Sequence, residues 1–240
     1  MEYLANAFLK IFTVSAVRYF VIAGLPFLSF YFLLRKYYSK SKIQDKRTNA
    51  KRILMEIFHS MLTTVVFTLI AMLVFFSPVR EYTLIYNHVS DYPIWWMFVS
   101  FLLTMVVHDT YFYWMHRLLH HKKLFKYTHL VHHQSNNPSP WASYSFHLLE
   151  AIAEGAILII LVFLMPLHQL TVVLFTVVGF AINVYGHLGY EIAPKSFRSS
   201  WLFKFFNSSV YHNLHHRKFN GNYGLYFRFW DKLMGTEHTD

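Results

Sequence analysis

Long apolar runs alternate with short polar segments along this chain, and each run approaches the length a bilayer requires. The runs are Ala16–Leu34, Ile53–Phe76, Ile94–Met115, Leu148–Met165 and Gln169–Tyr190. A stretch of about 20 apolar residues predicts a membrane-spanning helix. In the first run Arg18 sits near one end, where it can snorkel, and Pro26 marks an expected kink. No small-residue cleavage site follows that run, so it is expected to remain a helix.

The polar segments orient these spans. Residues 35–52 hold eight Lys or Arg against one Asp, whereas 77–93 holds Arg80 beside Glu81 and Asp91. Cationic loops face the cytoplasm, so 35–52 is expected there. Alternation then places 116–147 and the C-terminal 50 residues on the same side. The expected fold is an all-α polytopic membrane helical bundle, of about four to five transmembrane helices, with a cytoplasmic helical domain carrying the histidines.

Composition agrees with this reading. Apolar residues make up 55% of the chain and charged residues only 14%, and mean hydropathy is +0.30. The net charge of +10 is accounted for by topology and needs no nucleic-acid partner. The chain has no cysteine, which excludes disulfides, thiolate metal sites and cysteine nucleophiles within it.

The candidate chemistry lies in the histidines. His116 and His120 are four apart; His129, His132 and His133 stand at i, i+3 and i+4, and the same triplet recurs at His212, His215 and His216. Random placement of 16 histidines gives such a triplet about 0.07 times per chain, so chance does not explain two. On helices each set shares one face. The orientation deduced from charge brings all three sets to one side, although it used no histidine.

Imidazole suits iron, zinc, copper or nickel, and one metal site uses three or four protein ligands, so eight histidines predict two ions. Two redox-active ions close together can activate dioxygen and attack an unactivated C–H bond. His187 and Asn183, near the inner end of the last span, are four apart and can face the cluster; Asn183 is also explained by a helix-to-helix hydrogen bond. Glu150 and Glu154, one turn apart, and Asp109, seven before His116, are candidates to hold a ligand imidazole from behind. His108 and His147 are weaker candidates, His121 points off the box face, and His59, His88, His168 and His238 are read as non-ligands. A metal transporter and a structural zinc protein are the competing classes.

His116-x3-His120 and the two His-x2-His-His triplets resemble the histidine boxes of the fatty acid hydroxylase and sterol desaturase superfamily of membrane di-iron enzymes. YWMHRLLH, SFHLLEA and HHRKFNGNYGLYFRFWDKLMGT resemble family patterns too. The resemblance divides the chain into an N-terminal transmembrane region, 1–94, and a catalytic region, 95–240. It implies two irons held by nine histidines, His187 completing the set, with Asn183 bound directly or through water. Trp230, Asp231, Gly235 and Thr236 match a terminal motif read as structural. Dioxygen as co-substrate and hydroxylation of a lipid C–H bond are implied, with desaturation as the alternative. Because the chain carries no nucleotide, flavin or haem motif, a separate electron carrier and an NAD(P)H-dependent reductase are expected.

Overall fold

A computed structural model describes residues 1–45 and 49–239. Lys46 and Arg47, two of the eight cations in the first polar loop, lie outside the described residues. Helix α1 (Glu2–Leu28) begins well before Ala16, because residues 2–15 continue the apolar character with Lys10 as the only cation. It runs through Pro26 and loosens three residues later into a π-helical turn, Ser29–Leu33, close to the expected kink.

Helix α2 (Ala50–Phe76) starts where the Asn49 side chain accepts the Arg52 N–H at 2.8 Å. Helix α3 (Ile94–Leu119) leads into two short helices, α4 (Phe125–Thr128) and α5 (Leu130–His133). After a 3₁₀ turn at Pro140–Tyr144 come α6 (Leu148–Leu164) and α7 (Gln169–Gly186). Nδ1 of His147 caps α6 and Nδ1 of His168 caps α7. The chain closes with α8 (Lys195–Arg198), α9 (Trp201–Phe205), α10 (Ser209–Lys218) and α11 (Phe229–Leu233).

Four helical segments, 2–33, 50–76, 94–119 and 169–186, are long and apolar enough to cross a membrane. The remaining expected span, α6, has 17 residues and is correspondingly short, about 26 Å at 1.5 Å per residue. Burial in α2 is inverted relative to a water-soluble helix. Glu56, Ser60, Thr63, Thr64 and Thr68 are buried, while Leu54 and Phe58 are 67% and 61% exposed. Only a surrounding hydrocarbon phase makes that arrangement favourable, so the chain is an integral membrane protein.

The elements pack as an all-α bundle: α2 lies against α1, α6 and the 140–144 turn, and α3 against α6 and α7. Two two-residue strands interrupt the helices. β1 (Ile85–Tyr86) and β2 (Leu167–His168) pair in parallel, tying the 77–93 segment to the turn between α6 and α7. They mark the end of α7 opposite His187.

Candidate metal centre

Four pieces of chain meet at one end of the bundle. Helix α3 carries His116 and ends at His120; His129 precedes α5, which carries His132 and His133; α10 carries His212, His215 and His216; His187 ends α7. The nine side chains fall into two groups. One comprises His116, His120, His129, His133 and His215, and the other His132, His187, His212 and His216. Within each group one nitrogen per ring lies within 4.8 Å of all the others, so each group can hold a metal ion.

Each triplet is divided between the groups. His129 and His133, at i and i+4, join one group while His132 crosses to the other; His212 and His216 stay together while His215 crosses back. The i and i+4 rings lie nearly above one another, whereas i+3 is rotated to the opposite flank of the stripe. A compact helical face can thereby serve two centres.

The backbone presets which nitrogen faces inward. His116 Nδ1 donates to Tyr223 O at 2.9 Å, His187 Nδ1 to Asn183 O at 2.8 Å and His215 Nδ1 to Gly221 O at 2.7 Å. His129 Nδ1 donates to Glu150 Oε1 at 2.6 Å, and Glu150 is completely buried. With the hydrogen on Nδ1, each Nε2 presents a bare lone pair. Those atoms nevertheless crowd together. Nε2 of His116 is 2.9 Å from that of His129, and Nε2 of His133 is 3.0 Å from that of His215. In the second group His187 Nε2 lies 3.2, 3.1 and 3.3 Å from those of His132, His212 and His216. Facing lone pairs repel. Nitrogens bound at about 2.0–2.1 Å to a common cation come within about 3.0–3.4 Å of one another, so the donor set fits a metal in each group.

Electrostatics favours the same state. Burial pushes His187 and His215 down to about 4, and burial followed by neighbouring imidazoles holds His132, His133, His212 and His216 well below the ordinary value. At neutral pH these rings are uncharged, the form that binds metal.

Other expectations fare differently. Asp109 meets no imidazole: its Oδ1 accepts the backbone N–H groups of Tyr226 and Phe227 at 2.7 and 3.2 Å, since Tyr223 O already occupies the back of His116. The Asn183 side chain turns to the 140–144 turn, donating to Ser143 O at 2.8 Å, and the backbone carbonyl of Asn183 rather than its side chain meets His187. His108 pairs with the Tyr226 hydroxyl at 2.8 Å, away from both groups. His168 reaches Asn87 O at the other end of the bundle, and His121 accepts from Lys123 N–H.

Two supports, Glu56 and Gly221, were not singled out from the sequence, and a third, Asp231, belongs to the terminal motif read there as structural. Glu56, inside α2, accepts Ser135 Oγ at 2.7 Å and Ser139 Oγ at 2.6 Å, anchoring the loop just after the first triplet. An acid within an apolar span was the available signal. Asp231 accepts Tyr223 N–H and Gly224 N–H at 2.9 and 2.8 Å, and so fixes the strand of chain whose carbonyl holds His116. Gly221 presents its carbonyl to His215 at φ +69°, where an added Cβ would lie 2.4 Å from Thr236 O.

A cavity of about 1050 Å³ adjoins this end of the bundle between α1, α2, α6 and α7. Phe112 and Phe146 line it and pack against His116 and His132, with ring centroids 5.0 and 5.2 Å apart. From Asn183 it extends along α7 to Gln169.

The fatty acid hydroxylase family profile matches residues 101–236. The chain is 32% identical over 213 residues to the Delta(7)-sterol 5(6)-desaturase ERG3B of Gibberella zeae, covering 88% of this chain and 63% of that protein. It is 34% identical over 186 residues to the Delta(7)-sterol 5(6)-desaturase erg3C of Aspergillus fumigatus, covering 69% and 56%. To the lathosterol oxidase of Rattus norvegicus it is 32% identical over 164 residues, covering 68% and 53%. The chain thus spans between 53% and 63% of the length of these relatives. No solved structure matches it. With more than half of its residues inside the family profile, and the histidine boxes among them, the chain belongs to the fatty acid hydroxylase family.

Proposed function

We propose that this protein is a membrane-bound, dioxygen-dependent di-iron oxidoreductase that removes two hydrogens from a sterol-like lipid. The observation that carries the reading is the division of nine inward-facing imidazoles into a group of five and a group of four beside an apolar cavity. All-nitrogen sites for two redox-active ions suit oxidation of an unactivated C–H bond. Gathering at one end of the bundle disfavours a transport path, which would string ligands through the membrane.

In this reading His116, His120, His129, His133 and His215 hold one iron, and His132, His187, His212 and His216 hold the other. Bound iron supplies the activation of dioxygen and the oxidising power for C–H cleavage. Glu150 keeps the Nδ1 hydrogen of His129 and raises the basicity of its Nε2. Asn183 O does the same for His187, and its side-chain amide braces the 140–144 turn that carries Phe146 toward the substrate. Asp109 and Asp231 hold the C-terminal segment 223–227 on α3. The largely apolar wall of the cavity suits hydrocarbon.

Desaturation is placed ahead of hydroxylation because the relatives named above are sterol desaturases and oxidases. Removing two hydrogens yields two electrons, whereas reducing dioxygen to two waters takes four. The remaining pair comes from a separate carrier fed by an NAD(P)H-dependent reductase, docking at the cationic face that the charge distribution assigns to the cytoplasm. The histidine end shares that face. Lipid mass spectrometry of cells with and without the gene tests the reading: a product lighter by two hydrogens supports it, and a product heavier by one oxygen establishes hydroxylation instead.

A further inference from the structure

The cavity wall carries a carboxyl group that the histidine centre does not use. Glu154 lies one turn beyond Glu150 on α6 and lines the cavity. Glu150 is bonded to His129, whereas Glu154 takes part in no hydrogen bond or ion pair among the described residues. The hydroxyl of Tyr144, on the same wall, also has no hydrogen-bond partner among them, and the Phe67 ring links the two positions, its centroid 5.2 Å from that of Tyr144 and its edge against Gly155, the neighbour of Glu154. A carboxyl group within the membrane is costly unless something satisfies it. A ligand in the cavity that hydrogen-bonds to it would do so.

The chemistry of the pair narrows the ligand. A carboxyl oxygen accepts a hydrogen bond and a phenol donates one; a hydroxyl group, which both donates and accepts, satisfies the two at once. The rest of the cavity suits hydrocarbon: the stretch of α7 from Asn183 to Gln169 is about 20 Å long at 1.5 Å per residue.

We propose that Glu154 and Tyr144 bind the hydroxyl group of the lipid substrate, one helical turn beyond the glutamate that holds His129, with its hydrocarbon body running away along α7. This inference rests on the sterol reading above. It makes the oxidised carbons those lying a few bonds from the hydroxyl-bearing carbon, because only they reach the metal centre while the hydroxyl is held.

Equilibrium binding of a tritiated Delta(7)-sterol and of its methyl ether to purified, iron-loaded protein tests it. Wild type is expected to prefer the free hydroxyl. Glu154→Leu should weaken sterol binding about tenfold or more, the loss of one buried hydrogen bond, and leave binding of the ether and the iron content unchanged. Glu154→Gln, which still accepts a hydrogen bond, should stay within a few-fold of wild type, and Tyr144→Phe should weaken sterol binding alone. Unchanged sterol affinity in Glu154→Leu, or equal losses for sterol and ether, would overturn the inference. Should Glu154→Leu lose iron, Tyr144→Phe decides by the same criterion. If wild type bound neither lipid, the sterol reading would fail and the inference with it; wild-type sterol binding or turnover that ignores Glu154 would sink the inference alone.

Discussion

Glu150 Oε1 lies 2.6 Å from Nδ1 of His129, and both side chains are buried, so this pair ties helix α6, which supplies no histidine of its own to either group, to the histidine centre. The carboxylate fixes the imidazole tautomer from behind. Replacing Glu150 by Gln preserves shape but removes the charge, and should lower metal affinity of the five-histidine group about 10–100-fold. Competition titration with a chelator measures this, and Glu150→Asp should recover part of it.

Glu56 makes a separate prediction because it acts on the loop after the first triplet. Glu56→Ala leaves the hydroxyls of Ser135 and Ser139 buried without their acceptor. Each unsatisfied group costs about 1–3 kcal/mol. Thermal unfolding in detergent should fall accordingly, and the triple variant that also carries Ser135→Ala and Ser139→Ala should regain part of the loss.

Gly221 tests whether backbone carbonyls preset the rings. In Gly221→Ala the new methyl meets Thr236 O at a positive φ, so the carbonyl that holds His215 must shift. Metal content should fall although no ligand has been removed. His168→Ala is the contrasting control: it removes a cap from α7 at the far end, costs about 0.5–2 kcal/mol of stability, and should leave metal content unchanged.

Much of this architecture was legible along the chain. Apolar runs of bilayer length became α2, α3, α6 and α7 close to the expected bounds, since span length is set by hydrocarbon thickness. Helix α1 starts earlier than its apolar run predicts because residues 2–15 are only slightly less apolar than the span itself. Histidine spacing identified eight of the nine side chains that converge, because i, i+3 and i+4 share a face on any helix, and His187 was legible from its place near the inner end of the last span. The exchange of His132 and His215 between groups was hidden, since it depends on how α5 and α10 are rotated toward each other. Helical phase alone predicts Asp109 behind His116; the segment 223–227 folds back between them, and no local pattern announces that.

The central claim is that the nine histidines make two separate metal sites, and iron per chain after anaerobic reconstitution measures it most directly. Wild type should hold about two irons, and the double variant His116→Ala, His120→Ala about one, the four-histidine group remaining intact. Wild type saturating at one iron or fewer, or a double variant that still holds two, would contradict the account.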